Sequence, residues 1–479
     1  MNRDVGDVEK IDMILESPTG AFKGNFDQNI LRPVNYRVLG TAGMVGITYL
    51  FACGGPIGSE PLVQSGGPLI AMASLLIYPL IVTIPYAYIV AELCSAFPED
   101  GGFTIWVLNA FGPFWAFQVG YWSWVSGVIR SALLPGVILS LFLTYYEKEI
   151  SNETAEYFIK AGIGLVLALP TFFGTVPVSR LSVLLVMVIF VPFLTYTVWA
   201  YTTARDFDDL FEIRRDGDVY DEETADVIPG GDVSIDWDTL VNTLFYKFDG
   251  IYMASVFGGE VLNPARTYPR AILFTVILAC ATYLVPLPAS ILADDLTWMK
   301  FDRDAYPTMA EAVGGSFLRT FILIASVAGA CGTFIAGIFI KGFMVSGMAA
   351  NRLLPLGLAR RSERFEAPTN AILLTTIMAI ALAGVEFDDL LSLSNAFAAV
   401  VQFMIIVAAM RLRMTLPYIP RPTKVPGGVV GLLVFATVPA VVLGYILLDT
   451  FLDSVIASAL LAGLLTLGLA YGLWAVRWN

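Results

Sequence analysis

The chain has no histidine and only four cysteines. Just 14% of its 479 residues are charged, where a soluble chain has about 25%. Without imidazole there is no His-ligated zinc or haem, and no catalytic triad that needs a histidine base. Cys53, Cys94, Cys280 and Cys331 each lie inside or at the edge of an apolar run. None has metal-ligand or C-x-x-C spacing, so free buried thiols are expected, with no disulfide framework and no metal. A membrane-embedded enzyme would then need a carboxylate pair on facing helices. Asp249 and Glu260, eleven positions apart on either side of a helix interruption, do not supply one. No enzyme activity, cofactor or nucleic-acid partner is expected.

Hydrophobic side chains, by contrast, are abundant. They make up 57% of the residues, and the mean hydropathy is +0.73. Soluble folding cannot hide that much apolar surface, whereas a lipid bilayer accommodates it. Apolar runs of about 20 residues, enough to span, fall at roughly 38–65, 68–96, 112–145, 157–174, 179–202 and 239–261, then at 268–292, 316–348, 369–386, 389–410, 428–448 and 454–476. The expectation is an all-α membrane protein of about twelve transmembrane helices, with one transporter domain over 38–479. The polar, acidic stretch 1–37 lacks the basic start of a secretory signal. It is expected to be a cytoplasmic tail.

Lysine and arginine in short loops set orientation. With the N-terminus inside, the inner loops hold Arg266, Arg270, Arg352, Arg360, Arg361, Arg364, Arg411, Arg413, Arg421 and Lys424. The expected outer loop 203–238 holds thirteen acids against three arginines. Both termini are therefore expected in the cytoplasm, and the plasma membrane is the expected location. Asn152-Glu153-Thr154, a glycosylation sequon, falls in an expected outer loop.

Two of the spans contain residues that a regular helix does not tolerate. The first reads Cys53-Gly54-Gly55-Pro56-Ile57-Gly58-Ser59-Glu60. Proline removes a backbone donor, and each glycine weakens a helix by about 1 kcal/mol. The sixth reads Lys247-Phe248-Asp249-Gly250-Ile251-Tyr252, and reaches Gly258-Gly259-Glu260. Irregular backbone at membrane depth is tolerated where it lines a cavity. Interrupted helices at corresponding positions of two halves mark a binding site in transporters built from inverted repeats. The expected repeats are about 38–202 and 239–410, joined by the acidic loop, with the last two helices at 428–476.

Three further segments carry a family resemblance. Ala91-Glu92 through Phe97-Pro98-Glu99-Asp100-Gly101-Gly102, Gly259-Glu260-Val261-Leu262-Asn263-Pro264-Ala265-Arg266, and Met348-Ala349-Ala350-Asn351-Arg352-Leu353-Leu354-Pro355 resemble motifs of the amino acid–polyamine–organocation superfamily of secondary transporters. Within it, Gly54-Gly55-Pro56-Ile57-Gly58-Ser59-Glu60, Gly112-Pro113-Phe114-Trp115 and Asn242-Thr243-Leu244-Phe245 are most similar to plant- and protist-type polyamine uptake transporters. The resemblance implies a leucine-transporter-like fold, substrate held between helices one and six, and alternating access driven by protons or sodium. Where such polyamine transporters are expected to carry an acid in the third helix, this chain has Arg130. It has Ile405 in place of an expected acid in helix ten.

Charged residues within spans normally face a partner, a cavity or a pathway. Asp249 is expected to bind a substrate ammonium, to carry protons, or to pair with Lys247 or Arg130. Gly54, Gly55, Gly58, Gly250 and Tyr252 complete the expected binding site. Coupling or gating falls to Glu60, Glu92, Arg130, Lys247 and Glu260. Of these, Glu60 is either a cation-attracting gate or a solvated helix end, and Glu92 and Glu260 are expected to pair with basic residues or form an inner gate. Neutralising carboxylates is the favoured role of Arg130 and Lys247. If either faces the cavity, an amino acid becomes the better substrate. The expected function is proton-coupled symport of a small organic amine, with sodium as the other coupling ion. The resemblance tips the choice to polyamines, with cationic or neutral amino acids as the alternative. A non-transporting membrane receptor is the reading from another class.

Overall fold

Prolines mark where several helices begin. Pro61, Pro68, Pro113 and Pro264 each stand at the first or second position of a helix, where the missing N–H would have had no intrahelical partner anyway. The structure, a computed structural model, describes residues 37–204, 207–221, 226–292, 298–301, 305–384, 387–453 and 455–478. Apart from Arg37, the expected cytoplasmic tail lies outside the described residues.

In chain order the helices are α1 (Thr41–Ala52), α2 (Pro61–Gly66), α3 (Pro68–Ala96), α4 (Phe103–Phe111), α5 (Pro113–Tyr146), α6 (Glu153–Phe173), α7 (Thr175–Thr203), α8 (Trp237–Phe248), α9 (Pro264–Ile291), α10 (Ala305–Ala350), α11 (Thr369–Leu382), α12 (Phe387–Thr415), α13 (Gly428–Asp453) and α14 (Val455–Trp478). Among the described residues, eight helices are long and apolar enough to cross a membrane, and Thr41–Ala52, Thr369–Leu382 and Ala459–Leu473 are shorter apolar helices. α10 bends at Gly314 and Gly315, whose dihedrals are not helical. A short π-helical stretch, Pro79–Thr83, interrupts α3, at a proline that cannot donate to the helical ladder.

Along α7, Leu184, Met187, Val191, Leu194 and Val198 are exposed. Steps of three and four residues put them in one stripe. Leu76, Ile77 and Leu80 on α3, and Leu433, Val434, Val441 and Leu448 on α13, form similar surfaces. In water such patches would drive association; in lipid they are the outer face. The chain is a multi-pass integral membrane protein. Inside, α10 packs along α5 and α7 and reaches α1, while α12 lies against α5 and α13.

Two local features differ from expectation. The acidic segment is not a plain loop: β1 (Val219–Asp221) and β2 (Asp226–Ile228) form an antiparallel hairpin with Val219 opposite Ile228. The four cysteines are free, but only Cys53 and Cys94 are buried, and Cys280 and Cys331 are half-buried.

Candidate functional site

α1 ends at Ala52, and helix resumes at Pro61. Between them Gly54, Gly55 and Gly58 adopt φ values of +68°, +122° and +75°. α8 likewise ends at Phe248. Asp249 is extended, Gly250 takes φ +100°, and a 3₁₀ turn, Ile251–Val256, follows. At Gly54 any larger residue meets two obstacles. A left-handed backbone conformation costs a non-glycine residue about 1–3 kcal/mol, and a Cβ there would lie 2.0 Å from Thr333 Oγ1. A Gly54→Ala variant is therefore expected to lose at least that stability, read as a lower thermal midpoint of the purified protein, and to take up substrate poorly.

Unwound backbone must find partners when it is buried, and here neighbouring side chains supply them. Thr333 Oγ1 donates to the Leu50 carbonyl at 2.9 Å, and Arg130 Nη2 to the Ala52 carbonyl at 3.2 Å. Tyr283 donates to the carbonyls of Cys53 (3.5 Å) and Lys247 (3.3 Å). The Lys247 ammonium donates to the Ile57 carbonyl, and Arg130 Nη2 also reaches the Tyr246 carbonyl at 3.3 Å. Arg130 and Tyr283 thus tie the first interruption to the second.

Arg130 carries a third role. Its Nη1 lies 3.4 Å from Asp249 Oδ2, and its guanidinium stacks 4.2 Å from the centroid of Tyr246. The other Asp249 oxygen accepts from Gln402 Nε2 on α12 at 2.6 Å. Asp249 is 6% exposed and fully engaged by donors. On α10, Lys341 is also buried, held by Ser123.

A cavity of about 920 Å³ opens beside the interruptions. Cys53, Gly54, Ile57, Gly58 and Pro61 form one wall; Arg130, Tyr246, Lys247, Ser326 and Thr333 form others, and Glu153, Glu156 and Lys160 of α6 also line it. Gly55, Asp249, Gly250 and Tyr252 are not on its wall. Tyr252 instead packs edge-on against Phe103, with centroids 5.2 Å apart. Glu60 is 0% exposed, so the solvated helix-end reading of it fails.

The remaining expected gate residues lie elsewhere. α6 starts at the cavity lining, and its 21 residues carry the chain about 30 Å to Thr175. That residue's hydroxyl donates to Glu260. Arg361 Nη1 binds the other Glu260 oxygen at 2.9 Å, and its Nη2 lies 3.3 Å from Asp100. Backbone amides of Val38 and Leu39 donate to the Glu260 carbonyl at 2.9 and 2.8 Å. This seam lies at the end away from Glu153. Glu92 belongs to a separate buried cluster: Arg413 Nη2 at 2.5 Å, Arg421 Nε at 3.0 Å and the Val425 amide at 2.8 Å.

Sequence reasoning missed Lys341, Gln402 and Ser123. Lys341 carried a readable signal, as the sole charge between Thr320 and Ala350. Gln402 and Ser123 carried none, because neutral polar residues are common in membrane helices.

A family model described as "Amino acid permease" matches residues 37–464. A protein named as a probable polyamine transporter of Arabidopsis thaliana is 31% identical over 406 residues, covering 84% of this chain and 77% of that one. A polyamine transporter of Oryza sativa subsp. japonica is 29% identical over 418 residues, 87% of this chain and 74% of its own. An uncharacterized transporter of Legionella pneumophila is 24% identical over 404 residues, 76% of this chain and 80% of that one.

Proposed function

The chain belongs to the amino acid permease family and is a transporter, not an enzyme; from that premise we propose that it carries an amino acid across its membrane by proton-coupled symport. The observation behind this reading is the charge on the cavity wall. Arg130 and Lys247 line the cavity, while Asp249 sits off the wall with its oxygens taken by Arg130 and Gln402. A di- or tricationic ligand would meet these two positive charges beside the interruptions, the carboxylates on the wall, Glu153 and Glu156, standing on α6 instead. A substrate carboxylate gains charge-assisted hydrogen bonds from Arg130 and Lys247.

Polyamine uptake is the second reading. It is favoured by the names of the relatives at about 30% identity, and it requires Asp249 to exchange Arg130 for a substrate ammonium.

The same reading includes twelve spans, with α1–α2 and α8 at equivalent places in a five-plus-five inverted repeat. The two helix interruptions support this, as do the carbonyls they share through Arg130 and Tyr283. Alternating access would then open the Glu260 seam as the cavity closes. Basic residues such as Arg361, Arg413 and Arg421 support a cytoplasmic side at that end, with both termini inside and the plasma membrane as location.

The test is uptake of labelled leucine, arginine, putrescine and spermidine into vesicles, with and without an inside-alkaline pH gradient and with a sodium gradient. Gradient-driven accumulation of leucine or arginine, and little of putrescine, is expected. Preference for putrescine or spermidine would establish the second reading, and accumulation of none of them would overturn both.

A further inference from the structure

α10 runs without another charged residue from Thr320 to Ala350, yet carries Lys341 in the middle of that stretch. The residue is 1% exposed. Its stem lies in a notch cut into α5: a Cβ at Gly127 would sit 1.9 Å from Lys341 Cε and 2.7 Å from Cδ and Cγ. Only glycine at 127 lets the lysine lie flat between these helices.

The partners of the ammonium are neutral. Nζ donates to the Ser123 carbonyl at 2.7 Å and to Ser123 Oγ at 2.9 Å, and lies 3.6 Å from Met253 Sδ. Among the described residues no carboxylate forms an ion pair with it. Such a pocket serves two protonation states. A carbonyl only accepts, and both –NH₃⁺ and –NH₂ can donate to it. A hydroxyl accepts from the ammonium but can rotate and donate to the lone pair of a neutral amine. The Met253 sulfur is a weak acceptor, so little is lost when the third proton leaves.

Among the described residues, the titratable groups that face this pocket are Arg130 from α5, and Asp249 and Tyr252 from the segment after α8. Arg130 does not deprotonate in proteins. Asp249 receives donors on both oxygens, from Arg130 and Gln402, an arrangement that fits the acceptor-only, ionised carboxylate. Tyr252 is buried against Phe103. Lys341 is the group here whose hydrogen-bond partners suit both of its protonation states.

The geometry points to Lys341 as the group that binds and releases the coupled proton, with Gly127 and Ser123 as its positioning residues. The step is –NH₃⁺ to –NH₂, with the proton passing to water admitted when the segment after α8 shifts, and the reverse on reloading. The charge of Asp249, carried on the segment that follows the α8 interruption, favours the loaded form when near and releases it when that segment shifts. This inference rests on the proton-coupled reading above and names the residue that performs it.

The test uses the full-length protein in proteoliposomes, with membrane potential clamped and the amino acid or amine that the wild type accumulates. A gradient of one pH unit supports about tenfold accumulation at one proton per substrate. In Lys341→Gln that accumulation is expected to fall to none, while counterflow exchange of labelled for unlabelled substrate persists. Lys341→Arg, which keeps a charge but cannot release it, is expected to exchange with a flat pH profile and likewise fail to accumulate. Should Lys341→Gln fail to fold, the arginine variant decides alone. Accumulation at the wild-type level in either variant overturns the inference. So does loss of exchange and accumulation together in well-folded protein, because that marks a purely structural lysine. A wild type driven by sodium alone overturns the proton inference and leaves the transporter reading intact, whereas a wild type that moves none of the probes removes the reading itself.

Discussion

An Arg130→Met variant loses measurable transport and about 3–5 kcal/mol of stability, the usual consequence of stripping one partner from a buried ion pair. The substitution leaves the Ala52 and Tyr246 carbonyls without the donor that links them, and Asp249 with only Gln402. Thermal denaturation in detergent reads the first loss, and vesicle uptake reads the second. Two companion variants separate charge from shape. Replacing the pair together, Arg130→Met with Asp249→Leu, removes both buried charges and should recover much of the stability, yet not transport. Arg130→Lys keeps the charge but cannot present the planar fork that reaches Asp249 and two carbonyls at once, so its transport also falls. Arg130→Asp would set a second carboxylate against Asp249. It therefore damages the fold before it can report on substrate class.

The other large effect belongs to Glu92. This residue is 3% exposed, and its two oxygens receive Arg413, Arg421 and the Val425 amide. Glu92→Ala strands a buried Arg413, itself 7% exposed, and should again remove about 3–5 kcal/mol. The readout differs from that at Arg130. Glu92 lies off the cavity wall, so protein that survives is expected to keep the wild-type KM and substrate preference. Expression yield and melting temperature fall instead. A Glu92→Ala protein of normal stability, or one with altered substrate preference, would contradict a purely structural role for this cluster, in place of the coupling or gating role its sequence position suggests.

Much of the fold was legible because bilayer crossing imposes length and apolarity on every span. The expected run 112–145 became Pro113–Tyr146, and 316–348 lies within the long helix Ala305–Ala350. The interruptions were legible for a related reason: Gly54-Gly55-Pro56 and Asp249-Gly250 cannot continue a helix whatever surrounds them. Pairing was harder to read. Asp249 had three open roles in the sequence, and only the fold brings α5 and α12 to its two oxygens. Glu92 and Arg413 are 321 positions apart, and no local pattern joins them. Lys341 was overlooked because its neighbours are apolar, although the rule that made Asp249 notable applies to it equally. The cavity wall was the least readable feature: which of several helix faces turns toward an empty volume depends on every other helix.

The distance between Glu92 and Arg413 also bears on how the protein is made. At about 5–20 residues per second, the ribosome needs roughly 16–64 s to travel from one codon to the other. For all of that time α3 holds its carboxylate near a bilayer with its eventual counter-charge not yet synthesised. Nascent chains that stop before Arg413 cannot complete the cluster, however well their earlier helices pack. The acid at the end of α3 is fully covered only once α12 and the segment that follows it, through Val425, have been made.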